Sequence, residues 1–202
     1  MRAGGLSLEV VTGAAVEPWL PALARLRIAV FREWPYLYAG SEAYEREYLG
    51  VYLRSPDSLF VLAKDGGTVV GASSGMPLDE ESEAFRAPFE RAGIDPGTVF
   101  YFAESVLLPA YRGRGLGHAF FDAREAHAAA LGRFSLTAFC AVERDPADPR
   151  RPAGHVGNEH LWRKRGYERR EDLRCTLGWP EAEGGPDLPH ELVFRLRRLP
   201  GR

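Results

Sequence analysis

The stretch ESVLLPAYRGRGLG, residues 104–117, places an apolar run shortly before three closely spaced glycines. An alanine-rich segment with good helix-forming residues follows over residues 118–131. This order predicts a buried strand that turns through the glycines into the first turn of a helix. The amides of a helix's first turn lack partners within the helix, and the helix dipole adds partial positive charge there. We therefore expect this turn to bind an anion such as a phosphate group.

Two common phosphate-binding motifs do not fit these residues. A Walker loop continues with Lys-Ser or Lys-Thr, whereas Gly117 is followed by His118. The dinucleotide fingerprint GxGxxG would need a glycine where His118 stands. What remains is Arg112-x-x-Gly115-x-Gly117, with Arg114 as a second nearby cation. This pattern resembles the acetyl-CoA pyrophosphate loop of the GNAT acetyltransferase superfamily.

A second stretch, NEHLWRKRGY at residues 158–167, is similar to another signature of the same superfamily. In that signature an asparagine, here Asn158, precedes an aromatic residue, basic residues and a Gly-aromatic end. The two motifs occur in the expected order and separation, so the chain is identified as a member of the superfamily. The segment FREWPYLY, residues 31–38, is unlike the commonest members and indicates a less-studied branch.

Composition and charge restrict the class of protein. With 202 residues and 45% hydrophobic residues, the chain suits one domain with a packed core. A formal net charge of −2 gives no general attraction for nucleic acid or for an acidic membrane, so neither is expected as a partner. No apolar run approaches the roughly 18 residues of a membrane span, and residues 1–13 lack a secretory pattern. A cytoplasmic protein is expected.

The two cysteines do not indicate a metal or disulfide site. Cys140 and Cys175 are far apart in sequence and belong to no CxxC or Cys/His cluster. We therefore expect two reduced, mostly buried thiols and no bound metal. A nucleophilic role for Cys140 is conceivable, but a cysteine in the middle of an apolar strand is usually a small core residue.

Hydrophobic periodicity and turn residues predict the order of elements. The predicted helices occupy residues 19–30, a segment capped by Ser41, residues 118–131 with a cap at Gly132, and residues 158–164. The predicted strands occupy residues 6–11, 59–63, 68–72, 99–108, 136–142, 173–177 and 192–196, with a hairpin turn at residues 65–67. Residues 77–97 are acidic and irregular and are interpreted as an insertion over one sheet edge.

This order matches the superfamily nearly from end to end. The resemblance implies a mixed α/β fold of the α+β type, with a splayed central sheet of about six to seven strands flanked by helices. A single domain over residues 1–202, with the insertion at about 77–97, is expected.

The resemblance also implies how acetyl-CoA would bind as cosubstrate. Its pantetheine arm would pair with the strand, its diphosphate would lie on the amides of the turn, and the second motif would add further contacts. The predicted cofactor-binding residues are Ser105, Val106, Leu107 and Leu108 on the strand, Arg112, Gly113, Arg114, Gly115, Leu116, Gly117 and His118 at the turn, and Asn158 and Trp162. The alternative for the turn is a glycine-rich loop with solvated arginines.

Acetyl transfer to an amine needs a proton acceptor. A lysine-like ammonium, with a pKa of about 10.4, is neutral to only about one part in 10³ at pH 7. A carboxylate must therefore accept a proton, directly or through water. Glu104 is the predicted base, because at a period of two it shares an apolar face with Phe100 and Phe102, where burial would raise its pKa. The alternative is a buried ion pair between Glu104 and an arginine.

The general acid is less defined by the sequence. Many members of the superfamily place a tyrosine where this chain has Trp162, and an indole N–H cannot protonate a thiolate. Tyr167, another hydroxyl, or unassisted departure of the thiolate are the options, and Tyr167 is the predicted catalytic residue. Trp162 is expected to pack against the pantetheine arm or the core.

The acceptor site is predicted from an aromatic cluster. Phe31, Trp34, Tyr36 and Tyr38 lie where the superfamily often builds its acceptor wall, although they could equally plug a loop onto the core. The predicted activity is transfer of an acetyl group from acetyl-CoA to a primary amine of a small molecule, by direct attack in a ternary complex. The alternatives are a non-catalytic acyl-CoA-binding or sensing domain and a protein or peptide N-acetyltransferase. A homodimer through the C-terminal strands is a further option.

Overall fold

The computed structural model describes residues 5–200. The expectation that residues 1–13 lack a secretory pattern therefore falls partly outside the described residues. The helices are α1 (Leu20–Phe31), α2 (Glu42–Leu49), α3 (Glu83–Arg91), α4 (Leu116–Leu131) and α5 (Glu159–Lys164). The strands are β1 (Leu6–Thr12), β2 (Leu59–Asp65), β3 (Thr68–Pro77), β4 (Val99–Tyr101), β5 (Ser105–Leu107), β6 (Leu136–Val142), β7 (Glu168–Trp179) and β8 (Leu188–Arg198).

The strands form one open mixed sheet with helices packed on it. The order is β1-β2-β3-β4-β6-β8-β7, and β5 pairs with β3 beside this path. Pairing is antiparallel except between β4 and β6, which are parallel because α4 lies between them in the chain. The predicted α+β fold class is confirmed. The sheet has 8 strands rather than six to seven because the predicted central strand is interrupted.

The interruption lies at residues 102–104, between β4 and β5. The last hydrogen bond joining this segment to β6 runs from the Phe102 amide to the Ala138 carbonyl, at 2.7 Å. Beyond that point β5 continues along β3 and, within the described chain, pairs with no other strand. The sheet therefore splays here and leaves one edge of β5 open.

The interruption also changes which way the side chains point. Phe100 and Phe102 pack in the core beneath α4, whereas Val106 packs in the core beneath α1. Glu104 contacts Arg27 of α1. The prediction that Glu104 shares a face with Phe100 and Phe102 is therefore wrong, because unbroken alternation holds only within a continuous strand.

Local signals explain the helix ends. The Ser41 hydroxyl accepts a hydrogen bond from the Tyr44 amide at 3.3 Å and caps α2, as predicted. Gly132, at φ +74°, ends α4 in the left-handed conformation, also as predicted. Among residues 5–200, no helix has both the length and the apolar character needed to span a bilayer.

Two regions differ from the predicted elements. The acidic segment 77–97 is not irregular, because it contains α3, and Phe89 of this helix packs edge to face on Phe194 of β8. Strands β7 and β8 extend beyond the predicted residues. The prediction stopped short because it followed apolar residues, and the exposed positions of these strands carry charges. Arg174, for example, pairs across the strands with Glu191 at 2.7 Å.

Candidate functional site

The turn before α4 presents unpartnered amides. The Arg112 amide donates to the Pro109 carbonyl at 3.1 Å, and the His118 amide donates to the Gly115 carbonyl at 3.0 Å. Between them, the amides of residues 113–117 donate no hydrogen bond to any described part of the chain. The structure therefore offers an anion a run of free amides that is one residue shorter at each end than the predicted set.

The glycines of the turn are required by its backbone. Gly113 and Gly115 have φ of +75° and +83°, in the left-handed region that side chains disfavour. A Cβ added at either position would meet no protein atom within 4 Å, so the space above the amides is open. Gly117 differs, because a Cβ there would lie 3.3 Å from a methyl of Leu161 in α5. Together these glycines allow a phosphate-sized group to approach the backbone.

The two arginines of the turn were expected to be free cations, but in the structure both have hydrogen-bond partners. The Arg112 guanidinium donates to the Glu33 carboxylate at 2.8 Å and to the Leu107 carbonyl at 3.1 Å. Arg114 donates to the Ala110 carbonyl at 2.9 Å. Both side chains remain exposed, so they line the turn, but binding an anion would require them to leave or share these partners.

The open edge of β5 presents alternate backbone groups. The Glu104 carbonyl accepts from the Ser74 amide at 3.0 Å, and the Leu108 amide donates to the Val70 carbonyl at 3.0 Å. Because antiparallel pairing alternates, the backbone groups of Ser105 and Leu107 face away from β3. Of the predicted strand residues, Ser105 and Leu107 face the open edge, although the Leu107 carbonyl already accepts from Arg112 at 3.1 Å. Val106 and Leu108 direct their backbone groups to β3.

The second motif forms α5 and the turn that follows it. Asn158 is exposed at the start of the helix. Trp162 is partly buried between Phe139, with ring centroids 5.1 Å apart, and the Arg195 guanidinium, which lies 4.5 Å above its ring. The structure places Trp162 against the core on the side of α4.

Tyr167 lies away from the cavity described below. Its hydroxyl is 2.9 Å from the Thr137 hydroxyl and donates to the Glu125 carboxylate at 3.2 Å. The ring is buried among aromatic side chains that include Phe121 and Phe139. Burial raises the pKa of Tyr167 above its usual range. The structure thus gives this hydroxyl fixed partners within the α4 side of the core.

A cavity of about 410 Å³ lies on the other side of the splayed strands, below α1 and α2. It combines aromatic side chains with several carboxylates. Of the predicted acceptor residues, Phe31, Tyr36 and Tyr38 line it, but Trp34 lies outside, near His155 at 6.3 Å between ring centroids. The polar and aromatic residues that line it include Arg27, Phe31, Tyr36, Tyr38, Tyr44, Tyr48, Glu80, Glu81, Phe85, Tyr101, Glu104, Cys140 and Trp179.

Glu104 reaches this cavity as part of a buried ion cluster. The Arg27 guanidinium donates to both the Glu104 and the Glu45 carboxylates, and all three side chains are buried. Burial raises the pKa of the Glu104 carboxyl, and Arg27 partly opposes that rise. The arginine partner that the sequence left as an alternative for Glu104 is therefore present.

The aromatic wall is fixed by hydrogen bonds to its backbone. The Tyr36 carbonyl accepts from the Trp179 indole at 3.0 Å and from Arg144 at 2.8 Å. Arg144 also donates to the Pro35 carbonyl at 2.6 Å. These bonds hold the segment 31–38 against β6, β7 and the loops that follow them, so its rings form a rigid side of the cavity.

The cysteines are buried and free, as predicted. Cys140 also lines the cavity, where its Sγ lies 3.1 Å from the Tyr101 hydroxyl. The sequence did not indicate this exposure to the cavity, because it depends on the splaying of β5 from β6.

Sequence reasoning missed several residues of the cavity and of the ion cluster beside it. Arg27 falls on the apolar stripe that contains Leu23 and Val30, and a charge on a buried stripe is the signal that could have identified it. Glu45 sits beside the aromatic face of α2 in the same way. The sequence placed Glu81 only within the acidic insertion at 77–97, where no local pattern separates it from its neighbours.

Comparisons with known proteins agree with this geometry. A family model described as "Acetyltransferase (GNAT) family" matches residues 23–152, more than half of the chain. A search of curated proteins gives no match. Several solved structures share the fold.

An N-acetyltransferase from Staphylococcus aureus Mu50 gives a TM-score of 0.62 at 10% identity, covering 97% of this chain and 99% of that one. NAA60 from Arabidopsis thaliana, in complex with acetyl-CoA, gives 0.60 at 12% identity, covering 96% and 99%. The aminoglycoside acetyltransferase AAC(6')-Ib, in complex with coenzyme A, gives 0.57 at 16% identity, covering 96% and 95%. At these identities the likeness concerns the fold. Together with the family match, it shows that this chain belongs to the GNAT family of acetyltransferases.

Proposed function

We propose that the protein transfers an acetyl group from acetyl-CoA to a primary amine of a small molecule, by direct attack in a ternary complex. The observation that carries the proposal is the position of the cavity. It lies where β5 leaves β6, and the same strand leads from Glu104 in the cavity to the free amides before α4. A ligand extended along β5 would therefore place one end at the amides and the other in the cavity.

The chain offers matched groups for the diphosphate and for the amide-bearing arm of acetyl-CoA. The amides of residues 113–117 would hold the diphosphate, and the backbone of Ser105 and Leu107 would pair with the amide-bearing arm as an added strand. Asn158 and Trp162 remain proposed contacts from α5. When bound, acetyl-CoA supplies a thioester that is already activated toward an amine, so the protein's main tasks are orientation and removal of a proton.

The cavity favours a cationic amine with an apolar body. Its volume of about 410 Å³ is in the range of small-molecule sites. Arg27 is neutralised by two carboxylates, and Glu80 and Glu81 add further negative charge at the cavity wall. The surrounding aromatic faces can contact an ammonium group and an apolar body alike. AAC(6')-Ib, which shares the fold, is named as an aminoglycoside acetyltransferase and thus for a small-molecule acceptor.

Replacing Ser105 with proline should weaken coenzyme A binding. Proline removes the amide N–H that faces the open edge, and a lost backbone hydrogen bond to a ligand corresponds to about a tenfold loss of affinity. Ser105→Ala, which keeps the N–H, should bind like the wild type. Calorimetric titration with coenzyme A compares the three proteins, and equal affinity for Ser105→Pro would exclude strand-like pairing at this residue.

The function itself is tested by release of free thiol from acetyl-CoA. The acceptor panel should contain apolar and aromatic primary amines, short peptides with free N-termini, and a reaction without acceptor. We expect turnover above the no-acceptor rate with the small amines. Turnover restricted to peptides would favour a peptide N-acetyltransferase, and coenzyme A binding without turnover on any amine would favour a sensing domain. Either result would overturn the proposal.

A further inference from the structure

We infer that Glu81, and not Glu104, is the catalytic residue that accepts the proton of the acceptor amine. This inference rests on the proposed function and names the base at the same site. Glu81 lies just after a short 3-10 turn, residues 78–80, that follows β3, and its side chain lines the acceptor cavity together with Glu104.

The contacts of Glu81 leave one carboxylate oxygen available. Its Oε2 accepts a hydrogen bond from the Ser82 amide at 3.2 Å. Its Oε1 is buried and, among residues 5–200, has no hydrogen-bond partner. Buried carboxylate oxygens without a partner are costly, so a donor such as an ammonium group would satisfy this atom.

Glu104, unlike Glu81, is held in an ion pair. One of its oxygens accepts from Arg27, which lies between Glu104 and Glu45. To take a proton there, Glu104 would have to give up that ion pair while buried, which is unfavourable. Glu81 pairs with no cation in the described part of the chain, so it can accept a proton without breaking an ion pair.

The local environment also tunes Glu81 for proton transfer. Burial raises the pKa of Glu81 to about 7, and the negative charge of Glu104 adds to the rise. A general base is most effective when its pKa lies near the working pH. The charged and titratable groups that line the cavity together with Glu81 are Arg27, Tyr36, Tyr38, Tyr44, Tyr48, Glu80, Tyr101, Glu104 and Cys140.

The tyrosines and Arg27 cannot serve as the proton acceptor near neutral pH. Burial raises the pKa of the cavity tyrosines, so they stay protonated, and Arg27 stays charged because its pKa also lies above the usual value. Glu45 lies behind Arg27 and is fully buried in its ion pair.

The ammonium group of the acceptor gives one proton to Glu81 and becomes a neutral amine. The amine's lone pair forms the C–N bond to the acetyl carbon, the C–S bond breaks, and its electron pair leaves on the sulfur as a thiolate. The second proton of the nitrogen passes to that thiolate through solvent, which gives the amide and free coenzyme A, and Glu81 returns its proton to water.

The test is the pH dependence of kcat/KM for Glu81→Gln. In the wild type, activity should fall about tenfold per pH unit below about pH 7, because the base must be deprotonated. In Glu81→Gln the break near pH 7 should disappear, because activity should keep rising with pH toward the pKa of the amine. The loss should therefore be about 10²-fold or more at pH 7 and should narrow at higher pH. Glu81→Asp, which keeps a carboxyl, should keep the limb at a lower rate.

Matched variants separate this role from others. Glu83→Gln removes a nearby exposed carboxylate and should leave the profile unchanged. Glu104→Gln should keep the limb but move it to lower pH, because the charge of Glu104 adds to the raised pKa of Glu81. A Glu81→Gln protein that binds coenzyme A normally but retains the limb and the rate would overturn the assignment, as would loss of the limb in Glu104→Gln alone. If the wild type itself acetylates no amine, the proposed function fails first. Thermal unfolding and coenzyme A titration identify any variant that has lost its fold.

Discussion

Gly115→Val is expected to lower coenzyme A affinity by about 100-fold or more while the protein remains folded. Gly115 has φ of +83° at the start of α4, and a β-branched residue in that conformation costs about 1–3 kcal/mol. The new side chain would also occupy the open space above the free amides, where no protein atom lies within 4 Å of its Cβ. Calorimetric titration with coenzyme A measures the loss.

Gly93→Val is the matched control. Gly93 also has positive φ, at +71°, and a Cβ there would again meet nothing within 4 Å. It lies between α3 and β4, outside the turn at 113–117. The substitution therefore causes similar backbone strain but leaves the free amides of the turn unchanged. Both variants should lose similar stability, but only Gly115→Val should lose affinity. Normal binding by Gly115→Val would mean that the diphosphate does not lie on this turn.

Arg27→Met is expected to destabilise the fold by about 3–5 kcal/mol, because removing one partner of a buried ion pair leaves the other uncompensated. Here it leaves two carboxylates, those of Glu45 and Glu104, which are buried together. Urea denaturation monitored by tryptophan fluorescence gives the free energy of unfolding. A double variant, Arg27→Met with Glu104→Gln, should recover part of the loss.

The loss of stability in Arg27→Met should depend on pH, because it arises from buried carboxylates. Without Arg27, burial would raise the folded-state pKa of Glu104 further above the unfolded value of about 4.3. The folded state then binds more protons than the unfolded state, so stability is highest below about pH 4 and falls as pH rises through the raised value. The deficit relative to the wild type should therefore be larger at pH 8 than at pH 5. An equal deficit at both values would show that these carboxylates do not carry the effect.

The fold was predictable because its signals are local. The glycine turn at 113–117, the Asp65-Gly66-Gly67 hairpin and the Ser41 cap each restrict the backbone through residues close in sequence. The break at 102–104 was not predictable in the same way. A continuous apolar run looks alike whether it forms one strand or two, and only the splaying of β5 from β6 decides which face Glu104 takes.

The site was predictable in part. The turn and the aromatic segment were found from motif and composition, and three of the four aromatic residues, Phe31, Tyr36 and Tyr38, reach the cavity. The roles of the charged residues were not. Whether Glu81 is exposed or buried depends on how the segment after β3 folds back over the cavity, and the pairing of Arg27 with Glu104 joins residues 77 positions apart.

The most direct test follows the backbone amides of residues 113–117 by ¹H–¹⁵N NMR during titration with coenzyme A. We expect large downfield shifts of these amide protons, because each would donate a hydrogen bond to a charged phosphate oxygen. Pantetheine, which lacks the diphosphate, should leave them nearly unchanged while shifting Ser105 and Leu107. Saturable coenzyme A binding with no shift at 113–117 would contradict the proposed site.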